Sequence, residues 1–89
     1  MDAKKRREHF LIMQIFIRIQ RQEIALFTKI FEAMSHLAVV TTIDRAKGVL
    51  RVCCSDDQDE DVRLVIEALR MANWEITELC KSSILFAPE

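Results

Sequence analysis

The chain has 89 residues, of which 51% are apolar and 30% charged, with one glycine, one proline and a net charge of -1. That composition excludes disordered, collagenous and linker-rich classes and fits a single compact domain, whose stability margin is thin at this size. Near-neutral charge also excludes a whole-molecule field that would draw the protein to nucleic acid or anionic lipid.

Residues 1–9 carry Lys4, Lys5, Arg6 and Arg7 and read as a flexible basic arm. Placed before the apolar run Phe10 to Ile17, they imitate a signal peptide. Gln14 interrupts that run, Arg18 and Arg21 end it, and no small-residue cleavage site follows. The run is also far short of the roughly twenty residues that span a bilayer, so no membrane segment is expected; a cytoplasmic location is expected from the odd set of cysteines, read as reduced thiols.

From Phe10 to Ile19 the odd positions Leu11, Met13, Ile15, Ile17 and Ile19 are all apolar. This is the period of a strand with its odd side inward. Between about Gln22 and Ser35 the spacing changes: Ile24, Phe27, Phe31 and Met34 fall on one helical stripe. A second strand is expected over Val39 to Ile43. Asp44-Arg45-Ala46-Lys47-Gly48 supplies a turn with the chain's only glycine, and Val49 to Cys54 forms a third strand. Ser55 or an Asp can cap the free amides of a helix start, where the acids from Asp56 to Asp61 meet the positive dipole end, after which Val62, Val65, Ile66 and Leu69 recur at helical spacing. Asn73 stands where a helix often closes in the left-handed conformation. Trp74 to Cys80 reads as the fourth strand, leaving 82–89 as a tail in which Ile84-Leu85-Phe86 either docks back or pairs with a partner. The order is βαββαβ, and its expected architecture is an α+β, ferredoxin-like sandwich over residues 10–81, with two helices on one face of a four-stranded antiparallel sheet.

The polar constellations have plain readings. Asp57, Asp59 and Asp61 imitate the start of a calcium loop, but Val62 replaces its glycine and Ala68 its closing glutamate, so helix-start electrostatics is the better account and no metal is expected. His36 is read as a cation near a helix C-terminus, and His9 has no partner in any motif. Cys53, Cys54 and Cys80 are an odd set without paired C-x-x-C spacing, hence reduced thiols, with Cys53 and Cys54 pointing to opposite faces. No catalytic constellation and no cofactor motif stands out, so an enzyme is the less favoured class. Ile15-Phe16-Ile17 and Lys47-Gly48 imitate the strand motifs of an RNA recognition domain. Val49 and Arg51 then stand where stacking aromatics belong.

The segments Ile15-Phe16-Ile17-Arg18-Ile19, Leu37 through Asp44 and Gly48-Val49 resemble a small uncharacterised bacterial family of ACT-like domains. The resemblance covers about residues 12 to 80. It implies the ferredoxin-like fold and a regulatory or ligand-sensing module that pairs its sheets. Gln20-Arg21-Gln22-Glu23 occupies the first strand-helix loop and lacks the glycine with which ACT domains approach an amino acid.

These readings make the open sheet face the functional surface. Phe10, Ile12 and Phe16 should lie on it with Val49 and Cys53, and Arg18 and Arg51 towards its rim. The expected function is a non-enzymatic binding or regulatory module acting as a homo-oligomer, built from dimers, through that face. Single-stranded nucleic acid on the same face is the alternative, and the identity of any small-molecule ligand stays open.

Overall fold

A computed structural model describes residues 10–34 and 37–86 of the chain. In order, the elements are β1 (Phe10–Arg18), α1 (Ile24–Ala33), β2 (Val39–Asp44), β3 (Val49–Ser55), α2 (Asp59–Met71) and β4 (Thr77–Phe86), with short 3-10 turns before each helix. The strands form one sheet in the order β2-β3-β1-β4, and every neighbouring pair is antiparallel. The protein is thus α+β, two helices and a four-stranded antiparallel sheet.

Alternation decides which side of the sheet the helices cover. Ile15, Ile17 and Ile19 from the first strand region and Leu50, Val52 and Cys54 of β3 are buried in one cluster with Ile24, Phe27 and Phe31 of α1 and Val62 and Ile66 of α2. Both helices therefore pack on the same sheet face, as the odd positions of β1 anticipate. At the centre, the rings of Phe27 and Phe31 lie 4.9 Å apart, and Trp74 lies 6.2 Å from Phe27.

The C-terminus of α2 shows why Asn73 ends it. Asn73 has φ 74°, its N–H donates to the Arg70 carbonyl at 2.9 Å, and the Trp74 N–H donates to the Leu69 carbonyl at 3.0 Å. This is the reciprocal closure that satisfies terminal carbonyls, and Leu69 and Trp74 both pack against the core beneath it. Arg70 then fixes the exit segment by donating from Nε to the Ile76 carbonyl at 3.2 Å.

Several expectations need correction. Met34 is 43% exposed and not part of the inward stripe, because α1 stops at Ala33 and Met34 already has non-helical ψ. Ser55 does not cap α2; its hydroxyl donates to Asp57 Oδ1 at 2.6 Å and lies 3.0 Å from Gln58 Oε1. The fourth strand begins at Thr77, later than Trp74, and runs on through Phe86, so residues 82–86 are strand and not tail. Pairing with β1 from Phe10 to Arg18 supplies the backbone partners that polar Lys81, Ser82 and Ser83 could not advertise. The basic arm, His9 and His36 lie outside the described residues.

Candidate functional site

The sheet face opposite the helices is built by register. Four cross-strand rows can be read on it. Asp44, Val49, Arg18 and Thr77 form one, and Thr41, Arg51, Phe16 and Cys80 the next. Val39, Cys53, Gln14 and Ser82 follow, and Ser55, Ile12 and Ile84 end the series. No described helix lies over these rows, since both helices share the other face.

The sequence-based set is largely brought together. Ile12, Phe16, Val49, Arg51 and Cys53 are half-buried side by side, and Arg18 is exposed at the end of β1. Phe10 opens β1 opposite Phe86, and its side chain lies outside the described residues. Arg51 is not at the rim. It is the third residue of an interior strand, flanked by Thr41 and Phe16, and its Nε is buried without a hydrogen-bond partner among the described residues. Sequence reasoning missed Gln14, whose Nε2 donates to Ser82 Oγ at 3.3 Å, and the whole β4 contribution of Cys80, Ser82 and Ile84. Period two in β1 pointed to Gln14; the fourth strand was read only as far as Cys80, and nothing local pointed to its outer half.

A recess of 260 Å³ adjoins this face, lined in part by Ile12, Val39, Cys53 and Gln58. At the same end of the sheet, Lys81 Nζ on the helix side of β4 reaches Asp59 Oδ2 at 3.2 Å and ties β4 to the start of α2. Both side chains are partly exposed, so the pair orients more than it stabilises.

The three cysteines are free thiols with distinct settings: Cys54 is buried, Cys53 half-buried on the open face, and Cys80 exposed. Burial, with Asp59 close by, pushes the Cys54 thiol from its ordinary 9.0 up to about 11. An acid whose folded value is raised contributes stability below its unfolded value and loses it as pH rises through the folded one. Melting temperature is therefore expected to fall between about pH 9 and pH 11, with a shallower fall in Cys54→Val. Equal slopes in the two proteins would show that Cys54 does not govern this limb. In the native protein at neutral pH, a thiol reagent should label Cys80 first and Cys54 only on unfolding.

Residues 17–72, well over half of the chain, match the model of a domain of unknown function, DUF4911. The chain belongs to the DUF4911 family. No curated protein and no solved structure matches the chain. The DUF4911 match starts near the end of β1 and closes just after α2. It includes Arg18, Val49, Arg51 and Cys53 of the open face, while Ile12, Phe16 and all of β4 lie outside it. Among the described residues no helix is long and apolar enough to cross a membrane, and no group of three or more His, Cys, Asp or Glu is placed to hold a metal ion.

Proposed function

We propose that this DUF4911 protein is a non-enzymatic binding or regulatory module of the ACT-like, ferredoxin-like kind that works as a homodimer, or an oligomer of dimers, by covering its open sheet face. The architecture is supported by the strand-helix-strand-strand-helix-strand order and by a sheet whose two central strands are the first and third. A bacterial cytoplasm suits a protein with three free thiols.

The observation that carries the oligomer is the makeup of the open face. Ile12, Phe16, Val49 and Cys53 are contiguous there, with Val39 66% and Ile84 48% exposed at either side. A contiguous patch of this kind on a small domain is most commonly buried by a two-fold, self-complementary contact. A second copy would also enclose Arg51, and the partner's Thr and Gln side chains on the same face offer acceptors. The standard interface of about 800 Å² per partner gives enough burial at about 25 cal/mol per Å² to matter, although ordering costs consume much of it.

Phe16→Glu is the test, because it would set an unpaired carboxylate in that contact. Light scattering at tens of micromolar should report dimers or larger for the wild type and monomers for Phe16→Glu. A wild-type monomer would refute the reading. Sequence-selective binding of single-stranded RNA that is lost in Phe16→Ala would give the face to nucleic acid instead, since Phe16 beside Arg51 pairs one stacking ring with one cation.

A further inference from the structure

At the end of the molecule away from Asp59 and Lys81, the connection from β1 to α1 meets the turn between β2 and β3. Arg21 and Gln22 from the first segment and Arg45 and Ala46 from the second line a recess of 510 Å³. We propose that this recess binds the phosphoryl group of a small phosphorylated molecule between the guanidinium groups of Arg21 and Arg45.

Charge is the first argument. Among the described residues no carboxylate lines the recess, and neither arginine joins an ion pair. Asp44, the acid next to Arg45, accepts from the Lys47 backbone N–H at 3.1 Å through Oδ1 and so is held to its own turn. Two guanidinium groups from different segments, without an ion-pair partner among the described residues, form a donor set suited to a multiply charged oxyanion such as a phosphoryl group.

The second argument is that the two segments are fastened to each other. The Ile19 N–H donates to the Gly48 carbonyl at 2.9 Å, and the Gly48 N–H donates to the Arg45 carbonyl at 3.2 Å. On the other side, the Glu23 N–H donates to the Gln20 carbonyl at 2.9 Å, while Gln22 Nε2 donates to Gln20 Oε1 at 2.9 Å. The backbones that carry the arginines are thus positioned before any ligand arrives, which lowers the cost of binding. The recess is open to solvent on its outer side, so the rest of an ester can project out of it.

The test is a titration followed by amide chemical shifts, with inorganic phosphate, ribose 5-phosphate and acetate as probes at matched ionic strength. Saturable shifts are expected at Gln22, Arg45 and Ala46 with both phosphorylated probes and not with acetate. Tighter binding of ribose 5-phosphate identifies an ester as the ligand, and equal binding identifies free phosphate. Arg21→Ala and Arg45→Ala should each weaken binding about tenfold or more and together abolish it, with Arg21→Lys retaining part and Arg63→Ala, on α2, changing nothing. Binding should persist in Phe16→Glu, because the recess lies off the open sheet face. Shifts spread over all exposed basic residues, acetate binding as tight as phosphate, or binding that survives the double replacement in a folded protein would overturn the proposal.

Discussion

Phe27→Ala is expected to cost about 3–5 kcal/mol, a large share of the roughly 5–15 kcal/mol that a natural domain commands. Phe27 is fully buried, touches the Phe31 ring and faces Trp74, so its loss leaves a cavity at the junction of α1, the sheet and the exit from α2. The surrounding side chains are held by three different elements and can collapse into that space only in part. Thermal denaturation should show a fall in melting temperature of more than about 12 °C, at about 4–8 °C per kcal/mol for a domain of this size. Leu26→Ala, one residue away on the exposed side of the same helix at 53% exposure, should shift stability by no more than about 0.5 kcal/mol. Similar losses in the two variants would mean that α1 does not pack with its Phe27 side inward.

Gly48→Ala is expected to cost about 3 kcal/mol for two separable reasons. Gly48 has φ 71°, a conformation that costs a residue with a Cβ about 1–2 kcal/mol. A Cβ there would also land on the Ile19 carbonyl oxygen, well inside van der Waals contact. Backbone must therefore move apart at the point where the Ile19 N–H meets the Gly48 carbonyl, and losing that bond adds about 1 kcal/mol. Gly48→Asn separates the two causes, because asparagine tolerates positive φ but carries the same Cβ. Urea denaturation should place it close to Gly48→Ala; near-wild-type stability in Gly48→Asn would show that backbone conformation alone sets the cost.

These two positions also show what a single sequence can disclose. Phe27 was legible because α1 repeats its apolar residues at helical spacing, and Ile15, Ile17 and Ile19 because strand alternation is local. Asn73 and Gly48 were legible because few residue types suit a left-handed backbone. Met34 was misread because spacing continues past the point where the helix stops. The outer half of β4 was misread for a different reason: Lys81, Ser82 and Ser83 look like a loop, and only their pairing with Ile15, Gln14 and Met13 some 70 residues earlier makes them strand. Arg51 follows the same logic. Its face was readable from Leu50 and Val52, but its central place depends on which strands flank β3, a matter of sheet order. The candidate surface was therefore legible strand by strand, and its assembly was not.

The central claim is that two copies meet through this face, and intermolecular NOEs in a sample mixed from isotopically labelled and unlabelled protein test it most directly. The expected result is a set of contacts between chains linking the Phe16 ring to the methyl groups of Ile12 and Val49 and to Cys53. Contacts between chains confined to helix-side residues such as Leu26 and Leu64, or none at all at concentrations where light scattering reports dimers, would contradict it.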